Sequence, residues 1–167
     1  MVTTGLRVNV ADLLHRPASR REVSLELPPG LLGTPVARLA DQPRARLSAV
    51  LERVPEGVVV RGRVEGRYES QCSRCLEPIG SELTCDVREL FEPDPIEGET
   101  YPLAHEEVDL ELPVRDAVLV ELPLAPLCSE RCAGLCPVCG ANRNEVACDC
   151  DPTLPDPRWD ALRELRL

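Results

Sequence analysis

Through much of the chain apolar residues alternate with polar ones, the period of a half-buried strand. Leu6, Val8 and Val10 form one such set and Val23, Leu25 and Leu27 another, with a helical turn expected over residues 12–17 between them. The clearest pattern is central. Residues 44–54, the turn Pro55-Glu56-Gly57 and residues 58–69 predict a β-hairpin, with Val58, Val60, Gly62, Val64, Gly66 and Tyr68 on one face. A third strand follows over 79–91, its apolar face made by Leu83, Cys85, Val87 and Phe91, so the connection over 70–78 becomes a hairpin tip. Residues 92–107 contain three prolines and six acids without periodicity and read as a mobile loop.

The period then changes. Leu110, Val114, Val118, Leu119 and Leu122 recur at helical spacing behind a cap at Asp109, with Pro113 tolerable in the first turn, which predicts a helix over 110–122 packed on the sheet. Pro123 and Pro126 end it. A last helix is signalled by Asp156 as cap, Pro157 at the first position, and Trp159, Leu162 and Leu165 on one face. The expected class is therefore α+β. An antiparallel β-meander with one packed helix occupies residues 1–122, and a Cys-rich segment over 123–167 ends in a short helix.

Composition narrows the function. The chain has 167 residues, 43% of them hydrophobic and 29% charged, ordinary values for one domain or one plus a small module. One Phe, one Trp and two Tyr leave the core to Leu, Val and Ala, and they exclude an RNA-reading sheet built on stacked aromatics. The first 17 residues lack the apolar run of a signal peptide, and no stretch has the roughly 20 apolar residues that a membrane helix needs. A cytoplasmic protein is expected, with no membrane association. In a reducing compartment nine cysteines imply metal or redox chemistry rather than a disulfide framework.

The cysteines are placed accordingly. Cys72-Ser73-Arg74-Cys75 lies at the hairpin tip, and Cys128, Cys132, Cys136, Cys139, Cys148 and Cys150 follow the helix. In Cys136-Pro137-Val138-Cys139-Gly140, two intervening residues bring both sulfurs to one side of a tight turn, the glycine permits positive φ, and backbone N–H groups can point at the thiolates. Such a knuckle supplies half of a tetrahedral site. Its complement can be Cys148 with Cys150, Cys128 with Cys132, or Cys72 with Cys75, and spacing does not choose among them. Eight cysteines suffice for two Cys₄ sites, and structural Zn²⁺ is the expected occupant. An iron–sulfur cluster is disfavoured because no ferredoxin-like C-x₂-C-x₂-C run occurs. Cys85, alternating with Leu83 and Val87, reads as a buried apolar residue.

No catalytic set emerges. His15 and His105 are the only histidines, and there is no Gly-rich phosphate loop and no identifiable acid–base pair, so no small-molecule substrate is expected. Charge is distributed unevenly. The net charge is −10, yet residues 86–130 alone hold thirteen acids against two arginines. That segment reads either as a solvated surface or as a docking surface for a basic partner, with Glu92, Asp94, Glu97, Glu99, Glu106 and Glu107 as the candidate contacts. Arg61, Arg63 and Arg67 on one strand face, continuing to Arg74 at the tip, read either as a solvated face or as a phosphate-contacting stripe.

At these residues the chain resembles the YceD-like family, described as large ribosomal RNA subunit accumulation proteins. The resemblance rests on the strand–Cys72-Ser73-Arg74-Cys75-Leu76–strand unit and on the helix leading to Pro126-Leu127-Cys128. It rests also on the run from Cys136 to Asn144 with Cys148-Asp149-Cys150, and on the terminal Asp156-Pro157-Arg158-Trp159. It implies a non-enzymatic role in making or stabilising large-subunit ribosomal RNA. In bacteria such proteins are typically encoded beside a small zinc-ribbon protein of that subunit. The partner expected is a basic large-subunit ribosomal protein, precursor large-subunit rRNA, or both. The competing reading is a thiol-based redox or metal-transfer protein, which needs activated rather than metal-held thiols.

Overall fold

The computed structural model describes residues 5–16, 18–28 and 32–151. The chain order is β1 (Arg7–Asn9), α1 (Ala11–Leu14), β2 (Arg20–Glu26), β3 (Ala37–Leu39), β4 (Arg46–Arg53), β5 (Val58–Gln71), β6 (Pro78–Glu92), β7 (Tyr101–Pro102), β8 (Glu107–Asp109) and α2 (Glu111–Glu121). The fold is α+β. The main sheet has the order β2-β4-β5-β6-β7, with β3 also on β5, and β1 and β8 form a separate two-stranded ribbon.

The expected hairpin and third strand are the centre of this sheet. β5 pairs with β6 without interruption from Val58↔Phe91 to Gln71↔Pro78, and its other edge takes β4 over residues 58–65 and β3 over 68–70. Because side chains alternate across a strand, the register stacks Leu47, Val64 and Cys85 in one row and Ala49, Gly62 and Val87 in the next. All of these except Gly62 are buried. Leu51, Val58, Val60, Leu83 and Phe91 extend the same face. It is covered by α2 through Val114, Val118 and Leu122, by α1 through Leu13, and by Leu6, Val8, Val10, Val108 and Leu110 of the ribbon. Each such side chain, fully buried, contributes about 1.5–3 kcal/mol. No helix among the described residues is long and apolar enough to cross a membrane.

Several details differ from the pattern-based reading. The sheet is mixed, because β7 runs parallel to β6, whereas the helical turn expected between the first two strands is present as α1, over Ala11–Leu14. Residues 92–107 are not all loop. Tyr101 and Pro102 form β7, Tyr101 packs on Phe91 with ring centroids 5.5 Å apart, and Glu107 begins β8. A two-residue strand made by pairing with a distant edge carries no local alternation by which to recognise it. β3 escapes notice for the same reason. At α2 the cap position is Leu110, while Asp109 accepts a hydrogen bond from the Glu111 N–H at 3.0 Å, one residue before the position assigned to it. The terminal helix expected from residue 156 lies outside the described residues.

Gly62 is required by close approach. A Cβ there would meet the Ala49 Cβ at 2.6 Å and the Ser48 carbonyl at 2.8 Å, and Gly66 faces Ala45 in the same way. Gly62→Ala is expected to destabilise the fold by about 1–3 kcal/mol in urea unfolding followed by circular dichroism, because strand β4 must move to admit the methyl group. Gly5→Ala, with nothing within 4 Å, should change stability by less than about 0.5 kcal/mol.

Candidate metal centres

The eight cysteines come together as two groups of four. Cys72, Cys75, Cys128 and Cys132 form one and Cys136, Cys139, Cys148 and Cys150 the other, and within each group all sulfurs lie within 4.8 Å of one another. The knuckle at 136–139 is thus completed by Cys148 and Cys150, and the hairpin-tip pair by Cys128 and Cys132. In the first group Cys72 Sγ is 3.7 Å from Cys132 Sγ and Cys75 Sγ is 3.6 Å from Cys128 Sγ. Four sulfurs around one ion with Zn–S bonds of about 2.3 Å sit about 3.8 Å apart, so this spacing fits a tetrahedral thiolate site.

The first group is made by the β5–β6 connection and the chain that leaves α2. Cys72 N–H donates to the Glu77 carbonyl at 2.8 Å and Leu76 N–H to the Cys72 carbonyl at 2.9 Å, closing the turn so that both thiols face inward. The later segment is stitched onto this turn. Ser73 N–H donates to the Pro126 carbonyl at 2.8 Å, Leu135 N–H to the Arg74 carbonyl at 3.0 Å, and the Arg74 guanidinium to the Cys132 carbonyl at 3.1 Å. Cys72, Cys75 and Cys132 are buried, with Ile79 and Leu135 packed against them.

The second group is built as a self-contained ribbon. Gly140 N–H donates to the Cys136 carbonyl at 2.9 Å, Cys136 N–H to the Ala141 carbonyl at 2.8 Å, and Leu135 pairs with Asn142. Gly140 has φ +75°, the left-handed conformation that ends this kind of turn. The equivalent position of the first turn is Leu76, which adopts φ +62° and is 56% exposed. Cys136 is buried, Cys139 is exposed and the remaining two are intermediate, so the second group is the more accessible.

Asn144 joins the two centres. Its Oδ1 accepts from Ala133 N–H at 2.8 Å, and its Nδ2 donates both to Asn142 Oδ1 at 2.8 Å and towards Cys132 Sγ at 3.4 Å. A residue of the second ribbon thereby supports a sulfur of the first. The 142–144 triplet stands out in the sequence only as a polar run.

The thiols are strongly differentiated. Burial raises the Cys72 thiol, but N–H groups of Cys128, Cys75 and Arg74 aimed at its sulfur bring it down to about 6. Cys75, although it receives the Glu77 N–H, is pushed up to about 12 by burial and the neighbouring sulfurs. In the second group N–H groups of Cys139 and Val138 hold Cys136 at about 6, whereas Cys139 and burial push Cys150 up to about 12. Four sulfurs this close cannot all carry charge unless a cation sits among them, which is the behaviour of a metal-ligand set. Burial likewise raises Cys85, the ninth cysteine, to about 11, and it lies in the main core.

Other expected site residues are distributed as follows. Arg61, Arg63 and Arg67 are exposed on the outer face of β5, where Arg61 pairs with Glu52 at 3.6 Å and Arg63 with Asp86 at 2.8 Å. Arg74 belongs instead to the metal turn. Glu92 accepts from the Thr100 hydroxyl at 2.6 Å, and Asp94, Glu97 and Glu99 are exposed in the β6–β7 loop. Glu106 approaches His15 at 3.6 Å and Glu107 belongs to β8, so the six acids divide between the loop and the ribbon. An acidic pair that the sequence pattern conceals lies where β6 meets α2. Burial and the charge of Asp116 raise the Glu89 carboxyl, and the Tyr101 hydroxyl approaches Asp116 at 3.4 Å.

An uncharacterized protein of Mycobacterium tuberculosis is 32% identical, the alignment covering 98% of this chain and 83% of the relative. Two chloroplastic plant proteins named large ribosomal RNA subunit accumulation protein YCED homolog 1 are also similar. The Zea mays protein is 26% identical over 87% of this chain and 61% of its own length, and the Arabidopsis thaliana protein 25% identical over 80% and 49%. No solved structure matches. The family described as large ribosomal RNA subunit accumulation protein YceD matches residues 60–166, from β5 through both cysteine groups, and the chain belongs to that family.

Proposed function

We propose that this protein is a non-enzymatic factor for accumulation of large-subunit ribosomal RNA, holding two structural Zn²⁺ ions and acting by binding a basic large-subunit ribosomal protein. The observation that carries the metal part is the convergence of two complete Cys₄ sets. In this reading Cys72, Cys75, Cys128 and Cys132 hold one ion and Cys136, Cys139, Cys148 and Cys150 the other. Each ion replaces a hydrophobic core that residues 123–151 are too polar to build. A Cys₄ set leaves no open coordination position for substrate, which favours a structural over a catalytic metal.

Charge supports a protein partner over RNA. Residues 86–130, with thirteen acids and two arginines, run from the end of β6 through the β6–β7 loop and β8 into and past α2. Such a field attracts a basic, unassembled ribosomal protein and repels phosphate. Contact of precursor rRNA with the outer face of β5 is the second reading, favoured by the alignment of Arg61, Arg63 and Arg67. Its cost is that Arg61 and Arg63 must leave Glu52 and Asp86.

Elemental analysis of the reduced, folded protein after dialysis should give two zinc ions per chain. Cys72→Ser with Cys75→Ser should give one, with new protease cleavage between residues 123 and 135. A metal-free, fully folded wild type refutes the metal assignment. Replacing Glu92, Asp94, Glu97, Glu99, Glu106 and Glu107 by Gln or Asn should weaken binding of small basic large-subunit proteins about tenfold at low salt, and less at physiological salt where screening already operates. Equal binding by the neutralised variant removes this surface from the account. The triple change of Arg61, Arg63 and Arg67 to Glu should leave association with precursor particles unchanged. A loss accompanied by a salt slope shallower by about one unit per phosphate contact establishes the RNA reading instead.

A further inference from the structure

β6 is the feature of the main sheet that the function above does not use. β7 covers it only at Phe91 and Glu92, and no described strand pairs with the edge from Ile79 to Leu90. Which of its backbone groups are free follows from the register. Cys72 N–H donates to the Glu77 carbonyl, so that pair is a hydrogen-bonded one, and in an antiparallel ladder bonded and non-bonded pairs alternate. Counting along the unbroken β5–β6 register, the odd-numbered residues of β6 bond to β5. Gly80, Glu82, Thr84, Asp86, Arg88 and Leu90 turn their N–H and C=O groups away from it. The same parity holds at the end of the strand, where the outward-facing Glu92 carbonyl accepts from Leu103 N–H at 2.9 Å.

Among the described residues the remainder of this edge has no backbone partner, and such a row of groups is the template to which an extended peptide adds as a further strand. Its surroundings select the sign of that peptide. Glu82 is exposed on the outer face with no ion pair among the described residues. On the inner face Glu89 lies near Asp116 of α2, and Cys85 near Glu121. The acidic β6–β7 loop continues from the strand. Glu89, half-buried beside α2, and Asp116, exposed on α2, are like charges near one another, and a cation close to both relieves that repulsion.

We propose that the free edge of β6 captures an extended Arg- or Lys-rich segment of a basic protein by β-strand addition. The captured backbone bonds to the outward groups of residues 80–90, and its cations are matched to Glu82, Glu89 and Asp116. This rests on the partner reading above and specifies how the partner is held. Backbone bonding recognises any extended chain, and the acidic border restricts it to basic ones, a combination suited to an unfolded ribosomal-protein tail.

The test uses the full zinc-loaded chain and two labelled peptides of equal charge, (Val-Arg)₆ and (Gly-Arg)₆, in fluorescence anisotropy at low salt. Strand addition predicts that (Val-Arg)₆ binds about tenfold more tightly, because only it favours the extended conformation. Thr84→Pro removes one outward N–H without touching the β5 ladder, so it should abolish that preference while leaving (Gly-Arg)₆ binding and the zinc content unchanged. Should Thr84→Pro alter folding, hydrogen exchange on the wild type decides. The amides of Glu82, Thr84, Asp86 and Arg88 should exchange fast in the free protein and slow when (Val-Arg)₆ is added. Equal affinity for the two peptides overturns the proposal, as does protection of those amides in the free protein by a second copy or by residues 152–167. If these peptides fail while acid neutralisation still abolishes binding of whole ribosomal proteins, the edge is refuted and the docking surface stands. If neither binds, the partner reading itself falls.

Discussion

The ladder between β5 and β6 is the constraint on which the rest of the molecule depends. It runs without a bulge from Val58 to Gln71, and its two ends do different things. The end nearest Val58 and Phe91 lies in the apolar core, where α2 and the β1–β8 ribbon close over it. The other end leaves that core and carries Cys72 and Cys75 to a place where a second, smaller core is built from sulfur. Because a slip of one residue in register inverts every side chain, the same pairing that buries Val64 and Cys85 also decides which way the hairpin-tip thiols face. The core and the cysteine turn are two outcomes of one alignment.

Much of this was legible in the alternation of Val58, Val60 and Val64 and in the spacing of the cysteines, because both are local signals. The hairpin, the third strand and α2 were each recognisable within a window of about 12 residues. β3, β7 and β8 were not, since their two or three residues become strands only when a distant edge satisfies their backbone groups; β1 was legible in the alternation of Leu6, Val8 and Val10, but its pairing with β8 was not. The pairing of thiols was open for a related reason. A knuckle specifies two ligands locally, and the other two arrive by tertiary structure, which for Cys72 and Cys75 means sulfurs more than 50 residues away. Asn144, Glu89 and Asp116 had no local signature at all.

Electrostatics divides the surface into two regimes. On the outer face of β4, β5 and β6 charges alternate, and Arg61, Arg63 and Arg46 are met by Glu52, Asp86 and Glu26. Exposed pairs of this kind contribute little to stability, roughly 0–1 kcal/mol each, but each offsets its partner's field locally. Over residues 86–130, by contrast, acids outnumber arginines thirteen to two, and that asymmetry, rather than the overall net charge, gives the field of the molecule a direction.

The two Cys-x-x-Cys turns are near-equivalent pieces of backbone within one chain, and they differ at the position following the second cysteine. Gly140 enters the left-handed region freely, whereas Leu76 does so against the steric cost of its Cβ, about 1–2 kcal/mol. Leu76 recovers little of this by burial, since more than half of it faces solvent, beside a cleft of about 760 Å³ that Val36, Pro78 and Ile79 also line. The hairpin tip is therefore less stable than its own sequence permits, and glycine at position 76 would relax it. A protein shaped by stability alone would have the same residue in both turns; this one keeps an outward-facing leucine at the end of its longest hairpin.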